Sequence, residues 1–129
     1  MRVTLSNIVN SVMRDPHTTF LPEQETAFLA RVELSNGSKY EYFHERMAEQ
    51  GFSQTIKDMA GGTKQLPHAT YFISGLTEET SPEAVFKRAR KAVEKHKKLS
   101  DQMSIQGHII VVKASDVWFE LEDHQEKKD

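Results

Sequence analysis

The sequence predicts an α+β domain whose elements run βαββαβ, extended by a final β-hairpin and preceded by an added N-terminal helix. Residues 26–34 alternate apolar and polar side chains, as a half-buried strand does. Residues 39–50 and 82–98 repeat their apolar positions every three to four residues, as helices packed on a surface do. Turn-forming residues stand between the segments, at Asn36-Gly37-Ser38, Ala60-Gly61-Gly62 and Ala114-Ser115-Asp116. A helix returning after each pair of strands puts both helices on one face of an antiparallel sheet of four or five strands.

Taken in order, residues 1–14 read as a short amphipathic helix, since Leu5, Ile8, Val9, Val12 and Met13 fall on one stripe. Asp15-Pro16 ends it, because the residue before proline avoids the α region, and residues up to 25 read as a linker. In the first strand Phe28, Ala30, Val32 and Leu34 share one face, while Leu29, Arg31 and Glu33 share the other. The first helix places Tyr40, Phe43, His44, Met47 and Ala48 on one arc, and Gly51 is a suitable C-terminal cap. Strands are expected at 52–59 and 63–74, the second bulged or at an edge because Pro67 has no N–H to donate. Either Thr80 or Ser81 can start the second helix, with Glu83 completing a capping box for the former and Pro82 favouring the latter. That helix buries Val85, Ala89, Ala92, Val93 and His96. The hairpin pairs 108–113 with 117–121, so the folded domain is expected at 26–123 and a frayed tail at 124–129.

At 129 residues the chain is long enough to bury a core without covalent staples. It has no cysteine, which excludes disulfides, thiolate metal sites and cysteine nucleophiles. No apolar run reaches the roughly 20 residues of a membrane span, and the N-terminus lacks a secretory pattern, so a cytoplasmic setting is expected. The net charge of −2 conceals an asymmetry. Residues 87–98 hold seven basic side chains and one acidic one, whereas residues 116–129 hold six acids against Lys127 and Lys128.

No complete catalytic signature occurs. His44-Glu45 opens a zincin-like pattern, but Ala48 stands where the second histidine belongs, so no metal site and no cofactor are expected. His44 lies within the apolar arc of its helix, where a hydrogen-bonded core histidine competes with an acid–base role. Lys87, Arg90, Lys91 and Lys95 spread over the outer arc of the second helix, where they can neutralise phosphates or simply form a solvated face. Arg31 lies on the sheet face away from the helices. Trp118 and Tyr42 are candidates for stacking on bases.

The segments ARVEL, YFHERMAEQGFSQTI, QLPHATYF, SPEAVFKRARKAV and VVKASDVWFELE resemble a family of small bacterial proteins. That family is grouped with the GhoS endoribonuclease antitoxin of type V toxin–antitoxin systems. The resemblance spans about residues 26–122. It implies a ferredoxin-like fold related to the CRISPR adaptation nucleases, with RNA as the target. In this chain His44 stands where the group's basic residue of the first helix would align, and Leu34-Ser35-Asn36 carries no acid at the end of the first strand. The expected function is RNA binding through Arg31, Lys87, Arg90, Lys91 and Lys95, with endoribonuclease activity centred on His44 as its enzymatic form. The alternative is a non-enzymatic interaction module, such as a phage or mobile-element inhibitor of a bacterial defence system, or a homodimeric regulator. It would use Leu5, Ile8, Val12 and Trp118, or the acidic Glu120, Glu122 and Asp123, to hold a protein partner or a second copy.

Overall fold

A computed structural model describes residues 15–35 and 39–125 of the chain. Among them the order is β1 (Glu25–Leu34), α1 (Tyr40–Glu49), β2 (Thr55–Lys57), β3 (Thr63–Gln65), β4 (Thr70–Thr77), α2 (Pro82–Leu99) and β5 (Gly107–Ala114). β1 lies at the centre of a three-stranded sheet, β4–β1–β5, and both pairings are antiparallel. Its alternation decides the layers. Phe28, Ala30 and Val32 are fully buried beneath both helices, packed with Phe43 and Met47 of α1 and Val85, Ala89, Ala92 and Val93 of α2. Tyr71 and Ile73 of β4 complete this core. The α+β class, the antiparallel pairing and the helices on one face are therefore as the sequence patterns require.

The caps follow local chemistry. Ser81 is the cap of α2: its Oγ accepts from the Ala84 N–H at 3.1 Å, while Pro82 takes the first turn, where a missing N–H costs nothing. Gly51, at φ +93°, follows α1 in the left-handed region that glycine tolerates.

The sheet is smaller than expected. In place of long strands at 52–59 and 63–74, β2 and β3 form a separate two-stranded ribbon. Ser53 bridges to β4, exchanging two backbone hydrogen bonds of 2.8 Å with Phe72. The break between β3 and β4 comes at Pro67. Just beyond it Ala69 adopts φ +62°, and its carbonyl accepts from Val32 N–H at 2.9 Å. Proline removes a ladder donor there, and the chain turns before pairing resumes at Thr70.

The final hairpin does not form. Among the described residues β5 pairs with β1 only, and the segment after Ala114 crosses the back of the sheet. Thr18 Oγ1 donates to the Val117 carbonyl at 2.7 Å, and Phe119 N–H donates to the His17 carbonyl at 2.8 Å. Farther on, Gln65 N–H donates to Glu122 O and His124 N–H to Thr63 O, each at 2.9 Å. The alternation of Val117, Phe119 and Leu121 is real, but it serves a second core. There these residues, with Leu21 and Leu29, pack against Ala27, Ile56, Leu66, Phe72 and Ala114. Alternation identifies a buried face, not a strand partner.

Two boundaries move accordingly. The linker belongs to the domain, since Met59 N–H donates to both Asp15 O and Thr18 O. His124 is anchored on β3 instead of frayed, its N–H donating to Thr63 O and its Nδ1 lying 2.8 Å from Gln65 Oε1. The expected N-terminal helix, with Leu5, Ile8 and Val12, lies outside the described residues, as do residues 36–38 and 126–129. Among the described residues no helix is long and apolar enough to cross a membrane.

Candidate functional site

His44 faces an aromatic cluster built from three parts of the chain. Its Nδ1 lies 2.8 Å from the Tyr71 hydroxyl of β4. Tyr40, one turn earlier on α1, lies edge-on to His68 with ring centres 4.4 Å apart, and its hydroxyl accepts from Leu34 N–H at 2.7 Å. Burial, reinforced by the neighbouring Tyr40, pushes the Tyr71 phenol well above its usual range, so it stays protonated. Burial, and secondarily His68, lowers the pKa of His44, which favours a neutral imidazole. When Tyr71 donates to Nδ1, the ring carries its proton on Nε2; the other tautomer donates to the phenol oxygen.

The half-buried His44 ring lines two depressions. One, of about 230 Å³, lies between it and the Pro67–Thr70 turn. The larger, of about 980 Å³, is bounded by α1, Gln54, Gln65 and the 122–125 segment. Glu41, Glu45, Glu122 and Asp123 line the larger cleft, facing only the histidines His44 and His124 as groups that can become cationic. Lys64 stands nearby but is held by Asp123 and Asp58. Such a wall repels a phosphate chain. Among the described residues no group of three or more His, Asp or Glu side chains is placed to hold a metal ion. The cluster does what a buried hydrogen-bonded pair does: it fixes α1 against β4.

The basic residues are elsewhere. Lys87 is 73% exposed and 3.4 Å from Glu83, Lys95 lies 3.0 Å from Glu49 of α1, and the half-buried Arg90 covers the Phe86 ring at 5.6 Å. Lys91 and Lys98 are exposed and have no partner among the described residues. Surface pairs of this kind are worth about 0–1 kcal/mol, so Lys87 and Lys95 can exchange carboxylate for phosphate at small cost. Arg31 does not join them. It points to the opposite sheet face and is bound by Glu33, whose carboxyl it holds below the usual range. Trp118 is 73% exposed and stacks on His17 at 5.9 Å, and Asp123 is engaged with Lys64.

No family model matches the chain, and no curated protein and no solved structure matches it either. Sequence reading missed Tyr71 as the partner of His44 and Glu49 as the partner of Lys95, because each contact joins elements distant in the chain. The one local sign was the QLPHATYF stretch, which holds His68 in the turn and Tyr71 just after it.

The half-buried His44 and the buried His96 bear on stability. Burial lowers the pKa of His96 as of His44, with Arg46 adding to the effect. The unfolded chain binds those protons first, near pH 6.5. This contribution is complete above pH 6.5 and is lost as the pH falls toward the folded values. Urea midpoints should therefore drop between pH 7.5 and 5.5, and His96→Gln should flatten that dependence.

Proposed function

We propose that this chain is an RNA-binding module that holds its ligand along the outer face of α2 and does not hydrolyse it at His44. The observation that carries this reading is the row of cations Lys87, Arg90, Lys91 and Lys98, all but the half-buried Arg90 exposed, on a helix whose opposite face is locked into the core. A rigid row of weakly held cations is suited to following a phosphate backbone, and such contacts position a strand without reading its sequence. The β5–β1–β4 order, with Ser53 next to β4, supports the finer reading of the fold as ferredoxin-like. That is also the fold that the resemblance to the GhoS group implies. Arg31 is left out of this surface, and the acidic cleft argues against cleavage at His44.

The test is a triple reversal, Lys87, Lys91 and Lys95 to glutamate. Single-stranded RNA binding should weaken at least tenfold at low salt, and the slope of log K against log salt should fall by up to about two. Unchanged affinity and slope would remove α2 as the binding face. RNA left intact by the pure protein, and equally by His44→Ala, is the expected result for catalysis.

A further inference from the structure

We propose that two copies of this chain join into a two-fold homodimer by pairing their β5 strands antiparallel, edge to edge, with Ile110 on the axis. Such an association is independent of RNA binding. Among the described residues β5 pairs on one side only, with β1, and its other edge is uncovered. The backbone parity of that edge can be read from two hydrogen bonds. Ser35 N–H donates to Gln106 O at 2.9 Å, in the register that sets Leu34 opposite Gly107. Hydrogen-bonded pairs alternate in an antiparallel ladder, so His108, Ile110 and Val112 turn their backbone groups toward β1. Gly107, Ile109, Val111 and Lys113 turn theirs outward. The far side of β1 agrees: Val32 N–H donates to Ala69 O, so even-numbered residues of β1 serve β4 and odd-numbered ones serve β5.

An open edge with this sequence invites pairing. Natural edge strands are usually guarded by a central charge, a proline or a bulge. Here Ile109-Ile110-Val111-Val112 has none of them, and its pairing with β1 runs without a register shift. Ile110 is 61% exposed and Val112 49%, both on the face away from the helices. By contrast, the outer edge of β4 is already met at Phe72 by Ser53.

The edge is self-complementary in one register. A two-fold axis normal to the sheet keeps the helices of both copies on one side, so only residues of the same face can oppose each other. Centring on Ile110 sets Ile110 against Ile110 of the second copy as a close, non-hydrogen-bonded pair. Ile109 then faces Val111, Val112 faces His108, and Lys113 faces Gly107, which has no side chain to meet it. Gly107 is fixed by packing within the chain, since a Cβ there would lie 3.0 Å from both methyl groups of Val93. The neighbouring register, centred on Val111, would set Lys113 against Ile109 and is disfavoured. In the chosen register the two Lys113 side chains stand at opposite ends of the seam. Because α2 packs over β5, the axis also brings both basic helices to the same side.

Light scattering of the full chain should give twice the 14.8 kDa monomer mass. Ile110→Lys places two ammonium groups against each other and should weaken association at least tenfold, while circular dichroism stays unchanged because the side chain is exposed. Since the chain has no cysteine, Ile110→Cys should oxidise to a covalent dimer on a non-reducing gel. Val112→Cys, offset by four residues from its copy, should not. A monomer mass at all concentrations overturns the proposal. So does a dimer that is indifferent to Ile110→Lys and uncrosslinked by Ile110→Cys. A monomer that dimerises only after deletion of residues 1–14 also overturns it, assigning the edge to the chain's own N-terminal segment.

Discussion

Replacing Phe43 with alanine is expected to cost about 3–5 kcal/mol, the range for truncating a fully buried aromatic. Phe43 is the ring on which both helices and the sheet meet. It stands edge-on to Tyr71 at 6.0 Å, to His96 at 5.4 Å and to Tyr40 at 6.2 Å. Each such aromatic pair adds about 0.5–1.5 kcal/mol beyond burial, and none can re-form with a methyl group. A domain of this size holds about 5–15 kcal/mol in total, so the variant should be near the edge of folding at 37 °C. Urea unfolding should show a lower midpoint with an unchanged slope. Phe20, 54% exposed, is the control, and its alanine variant should lose no more than about 0.5 kcal/mol. A loss under about 1 kcal/mol at Phe43 would mean that the α1–sheet contact is not the main stabilising layer.

The same packing explains which elements are legible in the sequence. β1, α1 and α2 are legible because each is long enough to display its period, and each buries one face against the same core. The alternation of Phe28, Ala30 and Val32 with Leu29, Arg31 and Glu33 is enough to mark that face. β2 and β3 are three residues each, too short for a period to appear, and the interruption at Pro67 and Ala69 divides what reads as one strand. Val117, Phe119 and Leu121 read correctly as a buried apolar face and wrongly as partners of β5, since nothing local distinguishes a hairpin from a strap across the sheet. The candidate site follows the same rule. His44 and the α2 cations are visible one by one. Their environments are not, because Tyr71 is 27 residues from His44 and Glu49 is 46 residues from Lys95. Charge counted along residues 87–98 gives +6, whereas charge counted across the fold finds Lys95 answered by α1.

Asp58→Ala is expected to destabilise the domain by about 2–4 kcal/mol, through the second core and not the first. The Asp58 side chain is only 2% exposed although it belongs to a turn. Its Oδ1 accepts from Ala60 N–H and Gly62 N–H, each at 2.8 Å, and its Oδ2 lies 3.8 Å from Lys64 Nζ. Hydrogen bonds to a charged group contribute about 1.5–3 kcal/mol, and alanine leaves both amides without their acceptor. The turn is built around this carboxylate: a Cβ on Gly62 would sit 2.8 Å from Oδ2, and Gly61 takes φ +93°. Loosening it releases β3, and β3 holds the 122–124 segment through Gln65, Thr63 and Lys64. Hydrogen exchange should therefore quicken at Gly62 and at His124, while amides of α1 and α2 change only as much as global stability does. Asp58→Asn keeps an acceptor oxygen but not the charge, and separates two causes. If asparagine restores most of the loss, the turn is held by its two amide bonds. If asparagine is as harmful as alanine, the ion pair with Lys64 carries the effect, and raising the salt concentration should then weaken the wild-type protein by a comparable amount.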